Sequence, residues 1–257
     1  MPVANVFSTT GGAVGGGQPL ASTTWRLLWS FQPALLADHD FVASALTVSG
    51  VEVRNGSEGA VTTCAISGGV MTVDTISAGA IGGLWIYPVQ ALATSMQRRI
   101  CITAGLGANL TADGDGVFLQ YSNFGGTIFG GVEANRSAGA QRMSVFRAGG
   151  VIGHKATTAG AQARVIGAEW APGRQSFRPL WSPTAWSGAG PNPDSMTPVA
   201  LTPSGWHVAT DVTPGETADD IPADNAVGSN PVELVLKVRP ANGRAYTLPG
   251  WSLWVEM

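Results

Sequence analysis

The chain has 257 residues, of which 35 are glycine and 16 proline; only 12% are charged, and the formal net charge is −3. A length of this order accommodates one large all-β domain, while an apolar share of 44% excludes global disorder and the lack of a G-X-Y period excludes collagen. Lys155 and Lys237 are the only lysines, so the basic face that grips nucleic-acid phosphates is missing and no nucleic-acid partner is expected.

Residues 1–24 are rich in glycine, serine and threonine and carry no charge. They are read as a flexible N-terminal arm, with Val3, Val6 and Phe7 as apolar anchors against a partner or neighbouring subunit. No charged segment leading into an apolar run opens the sequence, so no secretion leader is expected. No stretch of ~18 apolar residues occurs, so no membrane insertion is expected.

From Trp25 the pattern becomes that of short strands. Residues 25–31 (WRLLWSF) form the first, closed by Pro33. Residues 41–53 alternate at Leu46, Val48, Val51 and Val53, and Asn55-Gly56 follows as a turn signal. Residues 61–66 and 70–76 pair across Ser67-Gly68-Gly69, and residues 84–87 precede Pro88. Residues 89–97 place Val89, Leu92, Ala93 and Met96 at helical spacing behind a proline, which predicts one short helix. Residues 98–104 return to strand.

Residues 113–170 organise the rest. Five apolar runs of four to eight residues, rich in β-branched and aromatic side chains, are each closed by glycines, which is the strand signature. Arg147-Ala148-Gly149-Gly150-Val151 predicts a tight hairpin, because paired glycines supply positive φ. The runs are expected to form one antiparallel meander, whose buried face demands a second sheet. Residues 171–230 turn to proline, glycine, serine and aspartate and predict long loops with a few short strands, notably 205–212. Residues 232–238 and 251–255 are further strands. The tryptophan pairs Trp25/Trp29 and Trp251/Trp254 suggest that first and last strands lie side by side. The fold class read from this pattern is all-β: a two-sheet antiparallel jelly-roll sandwich over residues 25–257, with a loop-rich insertion near 171–230.

Catalytic signatures are sparse. HExxH, GxSxG and a P-loop are absent from the sequence, and His39, His154 and His207 are too far apart to form a local metal motif. Asp113 and Asp115, in NLTADGDG, are either a polar turn or ligands for Ca²⁺, a hard cation that collects oxygens. The residues at the sixth and twelfth loop positions are Phe118 and Phe124, so the stretch is not an EF-hand. Glycoside hydrolysis needs two carboxylates within reach of one bond, and Glu133 and Glu169 on the meander are the available pair. Trp181, Trp186 and Trp206, on or beside the long loops, are the candidate ligand contacts, since indole rings stack on sugar faces and anchor interfaces; packing under the sandwich is the competing reading. Cys64 and Cys101 are expected to be buried thiols rather than a disulfide framework.

The stretch DGDGVFLQY, the hairpin RAGGV and the strand ARVIGAEW resemble concanavalin A-like sandwiches, which place such runs in a two-sheet jelly roll. The Gly/Thr/Ser-rich, lysine-poor composition and the N-terminal arm resemble accessory virion proteins of tailed bacteriophages (fibre, tip or decoration proteins). That resemblance implies a non-enzymatic structural component of the virion, a homo-oligomer docked on other virion proteins through its arm and able to bind host-surface glycan. The alternatives are a carbohydrate-binding module or adhesin and a β-sandwich glycosidase.

Overall fold

The computed structural model describes residues 25–55, 61–75, 82–87, 99–106, 110–123, 128–147, 150–157, 163–171, 176–199, 202–203, 221–222, 232–239 and 245–257. The arm, the helix expected at 89–97 and the strand expected at 205–212 lie outside these residues. Twenty strands are described. In chain order they are β1 Trp25–Phe31, β2 His39–Asp40, β3 Leu46–Val48, β4 Val51–Asn55, β5 Val61–Ser67, β6 Val70–Thr75 and β7 Gly82–Tyr87. Next come β8 Ile100–Gly105, β9 Gly116–Asn123, β10 Ile128–Ser137, β11 Ala140–Arg147, β12 Gly150–Thr157 and β13 Val165–Ala171. The last seven are β14 Ser176–Ser182, β15 Thr197–Pro198, β16 Thr202–Pro203, β17 Ile221–Pro222, β18 Val232–Arg239, β19 Ala245–Leu248 and β20 Trp251–Glu256.

All pairings are antiparallel, and the result is a jelly-roll sandwich. A nine-stranded sheet runs β16-β12-β11-β10-β9-β18-β7-β4-β3, and a seven-stranded sheet runs β1-β20-β8-β13-β14-β15 with β17 also on β14. A smaller four-stranded sheet, β19-β6-β5-β2, contributes Cys64, Ile66, Met71, Val73, Tyr246 and Leu248 to the same core. First and last strands do lie side by side: Trp25 pairs with Glu256 and Phe31 with Trp251.

Glycine-bearing hairpins set the registers. Ser49-Gly50, Gly68-Gly69 and Ala138-Gly139 all have positive φ at both positions, the geometry that matches strand twist in two-residue turns. The first of these divides residues 41–53, read from sequence as one alternating stretch, into β3 and β4. The expected hairpin at 147–151 is present, with Arg147 opposite Gly150.

The expected meander needs one correction. β9, β10, β11 and β12 are indeed consecutive neighbours, but the fifth run, β13, belongs to the opposing sheet between β8 and β14. Its period-2 pattern satisfies either sheet equally, because both bury one face. The loop-rich reading of 171–230 also missed β14, which carries Pro179 and two serines yet pairs along its whole length with β13.

Alternation sorts the side chains. Val117, Leu119 and Tyr121 of β9, Val132 and Ala134 of β10, and Met143 and Val145 of β11 face Ile100, Ile102 and Ala104 of β8 and Ile166 and Ala168 of β13 in one buried core. Tyr121 spans the layers: its hydroxyl donates to the Ala168 carbonyl (2.5 Å) and accepts from the Ile102 amide (3.2 Å), both in the opposite sheet. At the sandwich edges, Trp29 Nε1 donates to the Val48 carbonyl, and Gln141 exchanges hydrogen bonds with the Ala163 backbone. Cys64 and Cys101 are both free and buried. They face different clusters, Cys64 the main core and Cys101 the outer side of the seven-stranded sheet. Burial pushes the Cys64 thiol up to about 12, with the nearby Asp40 charge adding to the shift, and burial likewise raises Cys101.

Candidate binding face

Each sheet has an outer face turned away from the core, and the two differ in chemistry. On the seven-stranded sheet the outward positions are Cys101, Val165, Leu180 and Trp254, which with Trp25 and Met196 form a second, smaller buried cluster. The segment after β14 covers it. Trp186 of that segment packs against this cluster and donates from Nε1 to the Gly188 carbonyl (3.0 Å). Its ring occupies space next to Gly105, Gly190 and Gly250: a Cβ on Gly105 would stand 2.9 Å from Trp186 Cβ, and one on Gly190 2.5 Å from Trp186 Cη2. Asn192 Nδ2 reaches the Trp25 carbonyl and Ser252 Oγ the Ala189 carbonyl, holding the segment down.

At one end of this face an ion network crosses four adjacent strands and their flanks. Arg99 bonds Glu169 (2.7 Å) and Glu256 (2.5 Å), its guanidinium lies 5.4 Å from the Trp25 ring centroid, and Arg178 stands 3.9 Å from Glu169. The hydrogen bond that Arg99 donates to Glu256 is the main reason that the Arg99 charge is held more firmly than usual; burial opposes it, and Glu169 adds to it.

On the nine-stranded sheet the outward positions of β9, β10 and β11 are polar. Ser144, Glu133 and Phe118 stand opposite one another along one rung, and Arg142, Asn135 and Gly116 along the next. Gln120 occupies a third rung, which continues by register through Val235 and Trp85 to Arg54 on β4. Gln120, Glu133 and Ser144 are only 5%, 6% and 3% exposed, although they point away from the core. Phe118 is half-buried beside them. At the β4 end, Ser44, Glu52, Arg54 and Asn55 line an open groove, with Glu52 and Arg54 paired.

This arrangement separates the two carboxylates that a hydrolase reading would pair. Glu133 lies on the outer face of one sheet and Glu169 on the outer face of the other, with the core between them and sheets that pack about 10 Å apart. They do not face a common substrate.

The other sequence candidates fall as follows. Trp181 stands opposite Ile166 on β14 and packs, half-buried, against the main core. Trp186 is the docked ring described above. Trp206 and the anchor residues Val3, Val6 and Phe7 lie outside the described residues. Asp115 is buried, and its Oδ2 accepts from the Thr111 and Ala112 amides (2.9 and 2.8 Å). Asp113 accepts from the Gly139 amide and lies 3.6 Å from Arg136 Nε. Carboxylates so engaged offer a cation few free oxygens, and among the described residues no group of three or more His, Cys, Asp or Glu is placed to hold a metal ion. The outward row on β9–β11 escaped the sequence reading, because Gln120, Glu133, Asn135, Arg142 and Ser144 are scattered over 25 positions and meet only through strand register.

No protein-family model and no curated protein matches this chain. Among solved structures, it is similar to the exoplasmic/lumenal domain of VIP36 in its metal-free form (6% identity, 92% of this chain and 97% of that one, TM-score 0.44). A Ca²⁺/Man-bound form of the same domain also matches, with 8% identity, 87% and 88% coverage and a TM-score of 0.41. It is similar to the potassium-bound carbohydrate recognition domain of Emp46p (8% identity, 78% and 87% coverage, TM-score 0.44). A protein of unknown function from Shewanella oneidensis matches at 12% identity, 86% coverage of both chains and a TM-score of 0.40. None of these is described as a virion component, and the virion expectation rests on composition and on an arm outside the described residues.

Proposed function

We propose that this chain is a non-catalytic, glycan-binding β-sandwich whose binding surface is the outer face of the nine-stranded sheet. The observation that carries this reading is the row of recessed polar side chains, Gln120, Glu133 and Ser144, on three adjacent strands beside the half-buried ring of Phe118. Outward positions of an antiparallel sheet ordinarily carry exposed polar groups. Recessing them restricts their rotamers and aims their hydrogen bonds, and a site built to hydrogen-bond hydroxyls rejects ligands that lack them. An aromatic ring next to fixed donors and acceptors suits a sugar, which offers hydroxyls around its rim and an apolar C–H face.

The test is binding of the full-length protein to a panel of immobilised glycans. Phe118→Ala and Glu133→Gln are expected to weaken the best ligand by about tenfold or more, equivalent to about 1.4 kcal/mol. Leu35→Ser, a change at an exposed residue in the 3₁₀ turn before the small sheet, is expected to leave binding unchanged. Binding that survives both face substitutions, or a protein that binds no glycan at all, would overturn the proposal.

A further inference from the structure

Two polar atoms on one rung of this face are buried without a hydrogen-bond partner: Oδ1 of Asn135 and Nε of Arg142. Their residues stand directly opposite each other on β10 and β11. One atom is an acceptor and the other a donor, and leaving either unpaired away from water is unfavourable. Both residues are themselves only partly buried, so each keeps part of its surface open beside the buried atom. On the other side of Asn135, its register partner on β9 is Gly116. The bare glycine leaves room for the tip of the Phe118 ring: a Cβ built there would stand 3.3 Å from Phe118 Cε2 and 3.4 Å from Glu133 Oε1. An apolar ring edge, an acceptor and a donor therefore follow one another along one rung across three adjacent strands.

We propose that this rung reads the acetamido group of a 2-acetamido sugar, an inference that rests on the glycan-binding reading above. Arg142 Nε–H donates to the acetamido carbonyl, Asn135 Oδ1 accepts the acetamido N–H, and the methyl group lies against Phe118. A vicinal diol also supplies one donor and one acceptor, but it has no methyl to set against the ring. An acetamido group satisfies all three features at once.

The experiment is calorimetric titration of the full-length protein with pairs of oligosaccharides that differ only in carrying acetamido or hydroxyl at C2, in the gluco and galacto series. The expected result is a preference of about tenfold or more for the acetamido member of a pair, the usual scale of a hydrogen bond to a charged group. Arg142→Met and Asn135→Leu are each expected to bring the pair to within about twofold of each other. The melting temperature is expected to hold in both variants, within about 2 °C. Equal affinity within every pair, or a preference that persists in both variants, would overturn the acetamido assignment while leaving the face as a glycan site. Failure to bind any member of either series, together with silence on the glycan panel, would instead bring down the glycan reading itself.

Discussion

Replacing Tyr121 with phenylalanine tests whether the two sheets are fastened as described. The substitution removes one oxygen and keeps the ring, so the packing of the core is almost unchanged. What is lost is a hydroxyl that donates to the Ala168 carbonyl at 2.5 Å and accepts from the Ile102 amide at 3.2 Å. Both backbone groups sit in the interior of the seven-stranded sheet, where Ile102 and Ala168 are wholly buried. Leaving a buried donor and a buried acceptor without that partner costs about 1–3 kcal/mol. For a chain of this size each kcal/mol shifts the melting temperature by about 2–4 °C, so a drop of roughly 4–8 °C is expected for a 2 kcal/mol loss. Calorimetry on the two proteins measures it. The hydroxyl is pushed well above its ordinary 10.0, chiefly by burial and secondarily by Cys101. A raised value adds stability that is complete below the ordinary one, so the difference between the proteins should be constant up to about pH 10 and should change only above it. A phenylalanine variant that melts within about 1 °C of the parent would show that the hydroxyl does not join the sheets.

Trp186→Ala should destabilise the domain by about 2 kcal/mol, roughly half the loss for a fully buried tryptophan, because the ring is partly exposed but packed among Gly105, Gly190 and Gly250. Urea unfolding measures this, and an unchanged midpoint would mean that the ring is not a fastening. Cys64 is raised from 9.0 to about 12. Its contribution to stability is therefore whole below about pH 9 and is lost as the pH climbs towards 12. Cys64→Ala should give a shallower decline over that window than the parent, and parallel curves would contradict the burial argument.

Much of the fold was legible because its signals are local. Paired glycines at 68–69 mark a hairpin, short β-branched runs mark strands, and the tryptophan pairs at the two ends of the domain foreshadowed the β1–β20 pairing. What was not legible depends on contacts between distant strands. A period-2 run reads the same in either sheet, so β13 was assigned to the wrong layer, and Glu133 and Glu169 were considered as a pair that the sandwich in fact holds apart. Pro179 and the serines of β14 suppressed a strand that pairing with β13 enforces. The loop tryptophans drew attention because they are chemically conspicuous. Trp186 instead sits against glycines separated from it by up to 81 positions, a complementarity no local pattern records.

The difference between the two outer faces follows from this same register. Along β8, β13 and β20 the outward residues include Cys101, Val165, Gly167 and Trp254, which are small or apolar and would expose an oily surface if left bare, beside the buried polar Thr103, Glu169 and Ser252. The segment carrying Trp186 and Met196 covers them, so that face is occupied by the chain itself. Along β9, β10 and β11 the outward residues are Phe118, Gln120, Glu133, Asn135, Arg142 and Ser144. A face of that composition needs no apolar cover, since its groups are satisfied by one another, by water or by a ligand. Two of its atoms are satisfied by neither backbone nor side chain. Unsatisfied buried donors and acceptors are unfavourable in a free protein, and they are the groups whose pairing a bound ligand would turn into affinity. The sandwich thus covers the apolar part of one outer face with the segment that carries Trp186 and sets a row of polar side chains along the other, and that difference, more than any single aromatic residue, is the ground for proposing the nine-stranded sheet as the glycan surface.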